Sequence, residues 1–134
     1  MNLFQRKRQR PFIYPTERRD IELVMYARTF GCWDQARAEA WLREHSIPYR
    51  VVDISREPGA AERLLHWVGY LSVPTFIIAR PGEDEPIAPP EPLNGRRPRG
   101  LHRGTLITEP SNEQLLAFLL DHKLVAIADN ELAV

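Results

Sequence analysis

Ile21-Glu22-Leu23-Val24-Met25-Tyr26, a short turn from Ala27 to Gly31, and Cys32-Trp33-Asp34-Gln35-Ala36 decide the fold of this chain. The first stretch is almost wholly apolar, the pattern of a strand buried on both faces. From Trp33 the pattern changes: Trp33, Ala36, Ala40 and Trp41 follow helical spacing, so a helix is expected over residues 33–45. Ile47-Pro48 is expected to end it, because proline disfavours helix in the preceding residue. Cys32 is the only cysteine and falls where strand gives way to helix. A thiol there meets the partial positive charge of the helix N-terminus, which favours thiolate over thiol. No disulfide can close within the chain, so any redox cycle borrows a thiol from another molecule.

Working outward, residues 49–54 carry Val51, Val52 and Ile54 and are expected to form a second strand, making a right-handed parallel unit with the first. Ser55 to Gly59 reads as a turn. Ala61, Leu64, Leu65 and Val68 fall at i, i+3, i+4 and i+7, a second amphipathic helix that Gly69 can stop. Val73-Pro74 leads into a third strand, residues 75–79. Residues 80–103 hold Pro81, Pro86, Pro89, Pro90, Pro92 and Pro98 and exclude a helix or a central strand. An insertion of that length is either functional or disordered. Residues 104–108 suit a short fourth strand. Ser111-Asn112-Glu113-Gln114 matches a capping box, and Leu115, Leu116, Leu119 and Leu120 give the helix after it a buried face.

Residues 1–19 are basic, lack periodicity and read as a flexible N-terminal arm; residues 125–134 read as a C-terminal tail. The 134 residues suit one domain, and 43% hydrophobic content favours a folded chain. Eighteen basic residues balance eighteen acidic ones, so nucleic acid is not an expected partner. No apolar stretch approaches the roughly 20 residues of a membrane span, and no secretory pattern follows the basic start. A cytoplasmic location is the expectation.

The order β-α-β-α-β-β-α, with Cys32 after the first strand and Ser72-Val73-Pro74-Thr75 before the third, resembles the glutaredoxin branch of the thioredoxin fold. Tyr26 and Ile47-Pro48-Tyr49 add to the likeness, which covers residues 20–79 well and 104–123 loosely. It implies an α/β, thioredoxin-like domain over residues 20–124, with a four-stranded mixed sheet flanked by three helices. It also implies a cis Val73–Pro74 bond beside a catalytic Cys32. Val73 would pair antiparallel with the cysteinyl part of glutathione, a miniature β-augmentation.

The function so implied is a monothiol thiol–disulfide oxidoreductase working through a glutathione mixed disulfide, with glutathione as co-substrate and glutathionylated protein thiols as partners. The alternative is a catalytically silent thioredoxin-fold module that binds a partner. The chain departs from the family in reading Cys32-Trp33-Asp34-Gln35, with Gln35 in place of the resolving cysteine. It lacks the Cys-Gly-Phe-Ser of cluster-binding relatives, so no iron–sulfur cluster is expected. It also lacks a match to the Gly-Gly-x-Asp that holds the far end of glutathione.

Two readings stand at each of the remaining residues. Cys32 is a nucleophile or a buried structural thiol. Asp34, in the first helical turn, opposes a thiolate or only starts the helix. Trp33 covers the thiol and stacks on substrate, or is a core or half-buried aromatic. Arg28 grips a carboxylate of glutathione, or is a solvated arginine. Arg96, Arg97, Arg99 and Arg103 clamp an anion or lie in a solvated loop. His45, His66, His102 and His122 have no metal-ligand spacing with cysteine, and no metal is assigned.

Overall fold

The computed structural model describes residues 11–129. Strand β2 (Glu22–Ala27) pairs in parallel with β3 (Arg50–Asp53) and antiparallel with β4 (Thr75–Ala79). Strand β5 (Leu106–Thr108) lies antiparallel on the far side of β4, giving the order β3-β2-β4-β5. Helices α1 (Trp33–Glu44) and α3 (Asn112–Asp121) cover one face, and α2 (Ala60–Val68) covers the other. This is the thioredoxin-like arrangement implied by the sequence.

The two faces explain the apolar run in β2. Leu23, Met25 and Ala27 pack with Ala38 and Leu42 of α1 and with Leu115, Phe118 and Leu119 of α3. Val24 and Tyr26 point the other way, onto Ala60, Leu64 and Val68 of α2. A strand sandwiched between helix layers has no polar side to show. Register then places the site. Tyr26 stands opposite Thr75, so the turn after β2 and the residue before β4 meet at one end of the sheet. Thr108 stands opposite Thr75 in turn, bringing the start of α3 to that same end.

Element ends follow local chemistry. Helix α1 stops at Glu44, earlier than Ile47-Pro48, because Ser46 turns to φ 54° and the Ile47 N–H bonds the Leu42 carbonyl. Gly69, at φ 87°, ends α2 as expected. The capping box at Ser111 forms in both directions. Residues 80–103 are irregular but tied down. Arg50 bonds Glu22 at 2.8 Å and Asp84 at 2.6 Å, the Ile87 N–H bonds the Ile78 carbonyl, and the Thr105 hydroxyl bonds the Ala88 carbonyl at 2.7 Å.

The arm and the tail require correction. Residues 11–15, expected within a flexible arm, form β1 (Pro11–Pro15). Residues 125–129, expected as tail, form β6 (Val125–Asp129). The two pair antiparallel as a separate ribbon, and Ile13 and Val125 pack on the α1/α3 core. Residues 1–10 and 130–134 of those two segments lie outside the described residues. Among the described residues no helix is long and apolar enough to cross a membrane.

Candidate active site

Cys32 is the N-cap of α1, with extended backbone at φ −83° and ψ −179°. Its side chain is exposed and makes no capping bond; its Sγ lies 3.2 Å from the Val73 carbonyl, to which the thiol donates. The Val73–Pro74 peptide bond is cis. Pro74 offers its own carbonyl to the Glu109 N–H at 2.7 Å, which fastens the start of α3 to this corner. Among the described residues no acceptor pairs with the Val73 N–H. The sheet register therefore brings Cys32, Val73 and Pro74 together from positions 41 and 42 apart.

Of the remaining site residues named from sequence, Trp33 is 83% exposed beside the thiol, which removes the core reading for it. Phe30, Tyr70 and Leu71 are also exposed, on the loops that lead to Cys32 and to Val73. Trp41 and Trp67 are half-buried, Trp67 meeting the Tyr26 ring edge-on. Arg28 is exposed and donates to the Leu71 carbonyl at 3.1 Å, which lays its guanidinium along the segment leading to Val73.

Gln35 does more than vacate the resolving position. It is buried; its Oε1 accepts from the Arg28 N–H at 3.0 Å and its Nε2 donates to the Arg28 carbonyl at 2.9 Å. One side-chain amide thus satisfies both polar groups of a turn residue that has no ladder partner there. Its path crosses Gly31, where a Cβ would fall 2.2 Å from the Gln35 Cδ. Gly31 and Gln35 are one device that shapes the turn carrying Cys32.

The electrostatics differ from the expectation for Asp34. Its carboxylate takes two bonds from Arg99, at 3.0 and 3.3 Å, and one from Arg37 at 2.9 Å. The hydrogen bonds from Arg99, then the charges of both guanidiniums, hold it below the usual carboxylate range. Its negative charge is met by two positive ones, so it opposes a thiolate far less than a free acid would. Arg99 also bonds Glu109, and its own pKa is raised first by the bond to Asp34, with the Asp34, Glu109 and Cys32 charges adding to it. A guanidinium from the insertion therefore stands within electrostatic reach of the thiol.

The other insertion arginines play different parts. Arg103 is buried and donates to the Glu91 carbonyl at 2.7 Å and the Trp67 carbonyl at 2.8 Å, its pKa lowered by burial. Arg96 bonds the Leu93 and Pro92 carbonyls of its own loop. No local signal in the sequence separates Arg99 from these; its partner Asp34 is 65 positions away. A cleft of about 340 Å³ lies elsewhere, among Arg18, Ile21, Pro48, Tyr49, Arg50 and Leu124.

The glutaredoxin family model matches residues 23–80, the span from β2 through β4 that contains Cys32, Val73 and Pro74. Over residues 23–80 the chain is therefore similar to glutaredoxins. The β1–β6 ribbon, the insertion beyond Arg80, β5 and α3 lie outside the match. Among solved structures, the holo form of glutaredoxin C1 from Populus tremula x tremuloides is similar at 24% identity, with a TM-score of 0.35. The likeness covers 40% of this chain and 55% of that one, so the chain spans little more than half of that protein's length. No curated protein matches the chain significantly. The stretch similar to glutaredoxins thus brings Cys32 to a helix start beside Val73-Pro74, while Arg99, bonded to Asp34 and to Glu109, reaches that helix start from outside the matched span.

Proposed function

We propose that this chain is a monothiol thiol–disulfide oxidoreductase that uses glutathione. The observation that carries the reading is the exposed Cys32 Sγ at the N-cap of α1, 3.2 Å from the Val73 carbonyl, inside the glutaredoxin match. In the first step the Cys32 thiolate attacks the glutathione sulfur of a protein–glutathione disulfide. The Cys32–glutathione bond forms, the old disulfide breaks, and the protein leaves as a thiolate. In the second, a glutathione thiolate attacks that mixed disulfide, releasing oxidised glutathione and restoring Cys32. Neither step needs a second cysteine in the chain.

The free Val73 N–H supports pairing with the extended backbone of glutathione. Pro74 fixes the direction of that segment. Arg28, anchored on the Leu71 carbonyl, is the group assigned to a glutathione carboxylate, and the exposed Trp33 ring to covering the bound sulfur. The same reading assigns the protein to the cytoplasm. The test is incubation of the folded protein with oxidised glutathione: one glutathione added at Cys32 by mass, none in Cys32→Ser, and turnover on a glutathionylated peptide. A folded wild-type protein whose Cys32 stays unmodified would falsify the reading.

A second reading is favoured by one observation, the Arg99–Asp34–Glu109 contacts that draw the insertion against the helix start. In that reading the fold is a catalytically silent module that binds a partner through the exposed Phe30, Trp33 and Tyr70. Glutathionylation of Cys32 without any turnover is the outcome that favours it.

A further inference from the structure

At the far end of the domain from Cys32, the fold assembles a group that sequence spacing does not announce. Helix α3 starts beside the site, where Arg37 bonds the Pro110 carbonyl at 2.9 Å, and runs about 15 Å away over its ten residues. It ends at Asp121, with His122 as its C-cap. The last part of the insertion returns to that end and delivers His102. One ligand atom from each of His102, Asp121 and His122 lies within 4.8 Å of the other two. We propose that these three side chains form a binding site for one zinc-class divalent ion, which fastens the end of the insertion to the C-terminal end of α3. The proposal is independent of the thiol chemistry.

The donor set points to the class of ion. Two imidazoles and one carboxylate suit zinc and neighbouring first-row metals, whereas calcium and magnesium take oxygen shells. The His102 Nε2 to Asp121 Oδ2 distance is 3.3 Å. Two ligands on one tetrahedral zinc, each about 2.1 Å from it, stand about 3.4 Å apart, so this pair is already spaced to share an ion. Asp121 is exposed, and rotation of its carboxylate brings the set together. The fourth position is left to water.

Phe118 holds both rings in place before any ion arrives. Both imidazoles contact the Phe118 ring edge-on, at 5.0 and 5.1 Å between centroids. The His122 Nε2 lies 2.6 Å from the Gly104 carbonyl. Donation there leaves Nδ1 bare, and an imidazole whose second nitrogen donates to a backbone carbonyl is the usual supporting contact of a metal ligand. His102 Nδ1 accepts from the Gly104 N–H at 3.1 Å, so the hydrogen on its Nε2 faces Asp121. The ion replaces that hydrogen. The ring hydrogen moves to Nδ1, Nε2 coordinates, and the partly exposed Gly104 N–H turns to solvent. Gly104, at φ 80°, keeps its carbonyl on the His122 ring when the ion binds.

The test is zinc binding to the metal-free, tag-free full chain, read by competition with a chromophoric chelator. The expected result is one zinc per chain, a higher melting temperature with zinc, and shifted His102 and His122 imidazole NMR signals. His102→Ala and Asp121→Asn, each verified as folded by circular dichroism, should each weaken binding about tenfold or more, since loss of a mere supporting partner already costs about that. Cys32→Ser should bind as the wild type does, and calcium should not bind. Absence of 1:1 saturation, unchanged imidazole signals, full affinity in His102→Ala, or loss of binding in Cys32→Ser overturns the proposal.

Discussion

Gln35 shows how one side chain can shape the turn that carries a thiol. It stands three residues after Cys32, where dithiol glutaredoxins carry a second cysteine, and both ends of its amide bond Arg28. A cysteine could not make both bonds, so Gln35→Cys is not a simple route to a dithiol enzyme. Gln35→Ala should lower unfolding stability by about 2 kcal/mol, two lost hydrogen bonds at about 1 kcal/mol each, measured by urea denaturation. Gly31→Ala should cost a similar amount, because its new Cβ lands on the Gln35 amide. In the double variant the second change should add little, since the amide it displaces is already gone. Additive costs would mean that the turn is held by something other than this pair.

At the scale of elements, the start of α1 and the insertion are joined through charge. Asp34, Arg37, Arg99 and Glu109 form one network, and the Asp34 carboxyl sits below its usual range chiefly because Arg99 donates to it. A depressed folded-state pKa gives stability that is present above the unfolded value of about 3.9 and lost as pH falls through the lower folded value. Wild type should therefore exceed Asp34→Asn in stability at pH 7, and the gap should close below about pH 3.9 in urea melts. A gap that persists there would remove the ion pair as its cause. Arg99→Ala leaves Asp34 with only Arg37 and should slow glutathionylation of Cys32 about two- to fivefold, the scale of an exposed charge contact. An unchanged rate would place Arg99 outside the thiol's field. Helix α3 offers a separate check on local chemistry. Ser111→Ala removes the cap from its capping box and should cost about 1 kcal/mol in denaturant melts.

For the molecule as a whole, legibility followed burial. Strands β2 and β4 were readable because helices cover both of their faces; the neighbourhood of Cys32 and Pro74 was implied by the resemblance to glutaredoxins, and register across those strands is what produces it. Asp34–Arg99 and His102–Asp121–His122 were not, because the irregular path of residues 80–103 brings them together and carries no period to read. The β1–β6 ribbon escaped for a different reason. Each strand has five residues, β1 begins and ends on proline, Phe12, Tyr14 and Ile127 face out, and the paired residues lie more than a hundred positions apart. Its role can be tested directly. Deleting residues 125–134 removes β6 and exposes the surface that Val125, only 3% exposed, now covers. It also leaves β1 without a ladder partner. Burial of one valine is worth about 1.5–3 kcal/mol, so the melting temperature should fall by about 5–10 °C. The ribbon adjoins the His122 end of α3, where Arg18 bonds the His122 carbonyl at 2.7 Å, and not the Cys32 end. Glutathionylation of Cys32 well below the melting point should therefore match the full chain. A truncated chain that melts where the full chain does would show that the ribbon adds nothing to the core, and one that folds but loses Cys32 reactivity would show that the two ends of the sheet are coupled.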